Sequence, residues 1–192
     1  DGNFIHGLVH SEAFQVDSTV IHPDFAEMVC SVRFEPNGRP FELFPWKHTF
    51  RMTIGVRDGS VRWEYEVDND QSGRNLPFGV AFHPYIVYQN SRKESYLQVP
   101  AQSLMQADKQ LPSGQLLQLQ NHPLDARTSI SLEGYRSDDV FFGMEPERPA
   151  SIEFRNVKRS ITFIASREFT HLVVWTPDRP YLGIENQTCS TD

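Results

Sequence analysis

The amino-acid sequence predicts an all-β protein, a large antiparallel β-sandwich with little helix. Apolar and polar residues alternate with a period of two along much of the chain. Short segments containing Gly, Pro or Asn separate these alternating stretches, and helical periodicity is weak throughout. Many short strands with frequent turns are typical of sandwiches and barrels of antiparallel sheets.

The clearest pair of predicted strands covers residues 50–56 and 61–67, where apolar side chains occupy every second position. Gly59 lies between them and tolerates the positive φ of a tight turn, so the pair is predicted to form an antiparallel hairpin with one buried face. Before this hairpin, residues 28–34 and 41–44 are predicted to be strands joined by a turn.

The second half of the chain repeats the same pattern of short apolar stretches and polar connectors. It contains no internal repeat, low-complexity tract or linker, so a single domain over residues 1–192 is predicted. The predicted strands of this half are 128–132, 151–154, 160–165 and 171–175.

Composition favours a small neutral ligand over other partners. The net charge is −7 and Lys and Arg are scattered, which disfavours a nucleic-acid partner. No apolar stretch is long enough to span a bilayer, and no signal peptide is visible. Cys30 and Cys189 are expected to be reduced thiols of a cytoplasmic protein.

Three segments place a titratable side chain within an apolar run beside Gly or Pro: His6 before Gly7, His83 before Pro84, and Glu185 two residues after Gly183. Burial of a carboxylate without partners is costly, so Glu185 either lines a polar cavity or faces solvent at a strand end. A histidine in such a run is equally compatible with a core residue that donates to a carbonyl. Asp138 precedes a second carboxylate and an apolar strand, where acidic pairs are commonly exposed.

These segments together resemble the galactose mutarotase (aldose 1-epimerase) family, and the resemblance extends over nearly the whole chain. The matching motifs, in the order of the family, are His6-Gly7, Phe78-Gly79 with His83-Pro84-Tyr85, Asp138 to Phe141, Val174 to Pro177, and Ile184 to Thr188.

The resemblance implies a mutarotase-like supersandwich with a sugar site in a cleft on one sheet. It implies that Glu185 is the general base and His83 the general acid, and that His6, Asp138 and Gln187 bind the substrate. A carboxylate suits removal of the proton from the anomeric hydroxyl, and an imidazolium suits protonation of the ring oxygen. Base and acid are expected on opposite sides of one open pocket, with no metal or cofactor required.

The family has a substrate-binding Arg before its first His motif and a further C-terminal strand or tail. We therefore expect the chain to be truncated at both ends relative to the full-length protein. Trp46, Trp63 and Trp175 are the candidates to stack on a sugar ring.

Three alternatives to a free-aldose epimerase remain. The first is a hexose-6-phosphate 1-epimerase of the same superfamily, which the lack of a local basic cluster disfavours. The second is a carbohydrate-binding sandwich without turnover, and the pairing of an acid with a base argues against it. The third is a metal-dependent cupin in which His6, His10 and His83 bind the ion.

Overall fold

The computed structural model describes residues 6–108 and 110–190 and consists almost entirely of β-strands. The chain divides into two compact units, Asp1–Phe78 and Gly79–Asp192. The expectation of one domain over residues 1–192 remains a prediction. No helix among the described residues has the length and apolar character of a membrane span.

The first unit contains a four-stranded antiparallel meander in which each strand pairs with the next. The predicted hairpin of residues 50–56 and 61–67 is confirmed as the last two strands, with Gly59 at a φ of 70° in the turn. The elements are β1 (Gln15–His22), β2 (Phe25–Phe34), α1 (Arg39–Leu43), β3 (His48–Arg57) and β4 (Ser60–Asp68).

The strand predicted over residues 41–44 is wrong, because this segment begins within the short helix α1. Pro40 lies in the first turn of that helix, where its missing N–H removes no hydrogen bond and its fixed φ suits the helix. The Phe44 N–H donates to the Pro40 carbonyl and closes the turn. Four residues are too few for alternation to distinguish a strand from one helical turn.

The second unit contains a six-stranded and a four-stranded antiparallel sheet. Their orders are β5-β14-β13-β10-β7-β8 and β12-β11-β6-β9. The strands are β5 (Tyr85–Val87), β6 (Ser95–Gln98), β7 (Ser103–Asp108), β8 (Leu111–Gln118), β9 (Ile130–Ser131), β10 (Asp138–Phe142), β11 (Ala150–Phe154), β12 (Arg159–Phe163), β13 (His171–Trp175) and β14 (Tyr181–Gln187).

The core of the second unit lies between these two sheets. Phe141, Leu172 and Ile184 of the six-stranded sheet and Leu97 and Ile152 of the four-stranded sheet are fully buried in one cluster. Two antiparallel sheets packed over a shared apolar core form a β-sandwich, so the predicted fold class is confirmed.

Candidate functional site

Strand β14 presents its side chains alternately to the two faces of the six-stranded sheet. Leu182 and Ile184 are fully buried in the sandwich core. Glu185 and Gln187 therefore point to the opposite face, which we call the site face. Both are only 6% exposed, so two polar side chains are buried outside the apolar core.

His83 lies directly opposite Glu185 across the edge of this sheet. Tyr85 pairs with Gly183, and Ala81 forms an isolated bridge with Gln187, in the same antiparallel register. Continuing that register between the two pairs aligns His83 with Glu185. Pro84 has no N–H to donate, which explains why the ladder is interrupted at this point. The Nε2 atom of His83 is 3.3 Å from Oε1 of Glu185.

The expectation that base and acid occupy opposite sides of a pocket is therefore wrong. They lie side by side, because antiparallel pairing brings residues opposite each other to the same face of the sheet. The contact between His83 and Glu185 joins segments far apart in the chain, at the N-terminal and C-terminal ends of the second unit.

Three aromatic side chains, Tyr85, Trp175 and Tyr181, lie around this pair on the site face. The His83 ring stacks on Tyr85 with centroids 4.9 Å apart and meets Trp175 edge-on at 5.8 Å. Tyr181 lies 5.1 Å from Tyr85 and 5.8 Å from Trp175. These contacts restrict the orientation of the His83 imidazole.

Burial, and to a smaller extent the negative charge of Asp138, together raise the pKa of the Glu185 carboxyl from its ordinary 4.5 to about 7. A carboxylate with a pKa near 7 is a stronger base than an exposed one and is still substantially ionised at neutral pH. Such a shift is typical of functional carboxylates, although structural ones also show it.

The raised pKa of Glu185 predicts a cost to stability that depends on pH. The folded protein binds an additional proton between about pH 4.5 and 7, so its stability falls as the pH rises through this range. Glutamine cannot ionise. We expect Glu185→Gln to increase the free energy of unfolding at pH 8 by about 1–3 kcal/mol and to change it little at pH 4.

Chemical denaturation of both proteins at pH 4 and pH 8 measures this difference. Glu133→Gln, at an exposed turn position, is the matched control and should have no effect at either pH. Equal effects of Glu185→Gln at the two values would contradict a raised pKa.

Asp138 is the first residue of β10. It ends a row of paired residues that runs across the sheet from β5 through β14 and β13 to β10. Tyr85 pairs with Gly183, Gly183 with Trp175, and Trp175 with Asp138. Asp138 is exposed and accepts a hydrogen bond of 2.6 Å from the side-chain amide of Gln110. It therefore shares the site face with Glu185, as its predicted role in substrate binding requires.

An open hollow of ≈ 480 Å³ adjoins Asp138 and Trp175. Three carboxylates and one guanidinium line it, and the guanidinium of Arg136 lies 3.9 Å from Asp178. The buried Thr176 hydroxyl accepts the Ser137 N–H at 2.8 Å and so fixes the two strand ends beside the hollow. The complete lining is Arg136, Ser137, Asp138, Asp139, Trp175, Thr176, Pro177 and Asp178.

Gln187 lies two residues beyond Glu185 and pairs with His171 of β13. His171 was not among the predicted site residues, yet alternation along β13 places it on the site face with Trp175. Burial lowers the pKa of the His171 imidazole, and its Nδ1 is 2.9 Å from the Thr170 hydroxyl. The strand predicted over residues 171–175 implied that His171 and Trp175 share a face. It did not indicate whether that face packs in the core or lies on the other side of the sheet.

His6 belongs to the first unit, where its ring contacts His10 edge-on with centroids 5.9 Å apart. Its role in substrate binding remains a prediction. Trp46 and Trp63 also belong to the first unit, whereas Trp175 contacts the His83 ring directly. Within residues 6–108 and 110–190, no three His, Cys, Asp or Glu side chains converge as a metal ion requires.

A family model described as aldose 1-epimerase matches residues 1–191 of the chain. Among curated proteins, the plasmid-encoded LacX protein of Lactococcus lactis subsp. lactis is 21% identical over 196 aligned residues, which cover 94% of this chain and 61% of LacX.

Two solved structures have the same fold. A galactose mutarotase-like protein from Clostridium acetobutylicum superposes with a TM-score of 0.85 at 18% identity, covering 97% of this chain and 59% of that one. A galactose mutarotase related enzyme from Lactobacillus acidophilus gives 0.74 at 15% identity, covering 95% and 61%. The chain thus spans about three fifths of the length of these relatives.

Proposed function

The chain belongs to the aldose 1-epimerase family, and from this premise we propose that it interconverts the α and β anomers of a free hexose by general acid–base catalysis. Glu185 is the general base and His83 the general acid. The substrate is a small-molecule aldose, and the reaction uses no metal or cofactor.

The observation that supports this proposal is the 3.3 Å separation of the Glu185 carboxylate and the His83 imidazole. A cyclic sugar is a hemiacetal, in which the anomeric hydroxyl and the ring oxygen are bonded to the same carbon, C1. A base acting on one oxygen and an acid acting on the other can therefore be close neighbours. The neighbouring positions of Glu185 and His83 are therefore compatible with this reaction.

In the proposed reaction, the Glu185 carboxylate removes the proton of the C1 hydroxyl while protonated His83 donates a proton to the ring oxygen. The bond between C1 and the ring oxygen breaks, and C1 becomes the carbonyl carbon of the open-chain aldehyde. Rotation about C1–C2 presents the other face of the carbonyl to the hydroxyl group that was formed from the ring oxygen. Closure reverses both proton transfers and restores the starting states of Glu185 and His83.

The rest of the site face supports a pyranose as ligand. Trp175 and Tyr85 offer apolar ring surfaces, and carbohydrates present C–H groups that pack on such surfaces. Asp138 and Gln187 provide the convergent polar groups that give orientation in small-molecule sites. We assign them to hydrogen bonds with sugar hydroxyls, and His6 to binding near the ring oxygen.

The charges around the hollow favour a free sugar over a phosphorylated one. Asp138, Asp139 and Asp178 are negative, and Arg136 already has Asp178 as a partner at 3.9 Å. A phosphate group placed there would meet a net negative environment, which opposes its binding. This observation disfavours the hexose-6-phosphate alternative.

Polarimetry of freshly dissolved α-glucose and α-galactose tests the proposal. We expect the protein to accelerate the approach to anomeric equilibrium for at least one free hexose, after subtraction of the spontaneous rate. The same measurement with glucose 6-phosphate and galactose 6-phosphate is the comparison. A larger acceleration for the phosphates would overturn the substrate class, and no acceleration for any sugar would leave a carbohydrate-binding module.

The cysteines support a reducing compartment. Cys30 is buried, Cys189 is exposed, and both are free thiols. We therefore propose a cytoplasmic location, which fractionation of the source cells would test.

A further inference from the structure

The Glu185 side chain lies against a residue that has no side chain of its own. A Cβ atom built on Gly183 would be 2.5 Å from Oε1 of Glu185 and 3.4 Å from its Cγ and Cδ atoms. The first distance is well below van der Waals contact. The carboxylate of Glu185 therefore occupies the space that any other residue at position 183 would fill.

The backbone at Gly183 cannot move away to relieve such a clash. It is paired on one side with Tyr85 of β5 and on the other with Trp175 of β13, in the interior of the six-stranded sheet. Leu182 and Ile184, its neighbours in the chain, are fully buried in the core. The side chain of Glu185 would have to move instead.

The rings of Tyr85 and Trp175 flank the space above Gly183. Their centroids are 6.0 Å apart, and both contact the His83 ring. Gly183 thus forms the floor of a notch with an aromatic residue on each side, and this notch holds the carboxylate beside His83. A carboxylate displaced from the notch would turn toward water.

We propose that Gly183 is a positioning residue, which holds the Glu185 carboxylate beside His83 by leaving the space that the carboxylate occupies. The inference deepens the proposed function and rests on it, since Glu185 is the base of that reaction. Gly183 contacts no substrate in this scheme and acts only through Glu185.

The test is Gly183→Ala, with Gly55→Ala as the matched control. Gly55 is also a glycine inside a strand, but a Cβ there would meet its nearest atom at 3.7 Å, an ordinary contact. We expect Gly183→Ala to lower kcat about 10²-fold, as misplacement of a reacting group does. KM should change little, and Gly55→Ala should leave both unchanged.

A second readout does not depend on turnover. The side-chain carboxyl carbon of Glu185 can be followed by ¹³C NMR as a function of pH, with its signal assigned by loss in Glu185→Gln. We expect the midpoint to move from about 7 in the original protein toward 4.5 in Gly183→Ala, because a displaced carboxylate regains water. An unchanged midpoint together with an unchanged kcat would overturn the inference.

If Gly183→Ala folds poorly, its effect on stability can be measured in two proteins, the original protein and the Glu185→Ala variant. In Glu185→Ala the clashing atoms are absent, so Gly183→Ala should lower the melting temperature there much less than in the original protein. Equal losses in both backgrounds would show that Gly183 acts through the backbone alone and would overturn the inference. Failure of the proposed function is distinguishable, because the sugar would then not be turned over while the NMR and stability results still held.

Discussion

Glu185→Gln is expected to lower the rate of anomer interconversion by about 10³-fold, within the range that a positioned base contributes. The amide has nearly the shape of the carboxylate but cannot accept the proton of the anomeric hydroxyl. The fold should persist, and the variant should be more stable than the original protein at alkaline pH. Polarimetry with the preferred free hexose measures the effect.

The dependence of the rate on pH gives an independent check on Glu185. The base acts in its ionised form, and burial together with Asp138 raises its pKa to about 7. We therefore expect the rate to rise as the pH increases through about 7, and to fall again when the neighbouring acid loses its proton. Glu133→Gln should leave this profile unchanged. A near-normal rate in Glu185→Gln would remove Glu185 from the mechanism.

His83→Asn is expected to lower the same rate by about 10²–10⁴-fold, because asparagine cannot donate a proton to the ring oxygen at neutral pH. The loss should fall on kcat more than on KM, since proton donation operates in the transition state rather than in the bound sugar. The side chain of His83 packs on Tyr85 and Trp175 rather than in the apolar core of the sandwich, so the core is unchanged by the replacement and the fold should persist.

Two other histidines serve as controls for His83→Asn. His22 lies on β1 beside Asp24, and His122 accepts the Leu124 N–H in a turn. His22→Asn and His122→Asn should leave the rate close to that of the original protein. If either were as damaging as His83→Asn, the choice of His83 as the acid would be wrong.

The strands that could be predicted are those whose patterns are long and local. Residues 50–56 and 61–67 alternate over seven positions each and are joined by a turn at Gly59, and both lie within β3 and β4. The segment 41–44 was too short for its pattern to be decisive. There, Pro40 and packing of Phe44 on Trp46 favour a turn of helix instead.

Part of the site could likewise be predicted from local sequence, and part of it could not. The residue types around Glu185, His83 and Asp138, with their resemblance to a known family, were enough to choose candidates. Among three tryptophans, only the structure distinguishes Trp175, which lies beside His83. His171 and Gly183 also enter the site through the register of β13 and β14, which local sequence does not specify.

The long strands, the turns and the candidate acid and base residues could thus be predicted from the sequence, because they are recognised from residues a few positions away in the chain. The adjacency of Glu185 and His83, and the notch over Gly183, depend on pairing between segments about a hundred residues apart in sequence. Such pairing is set by the combined packing of many side chains in the sandwich core. It became visible only in the folded protein.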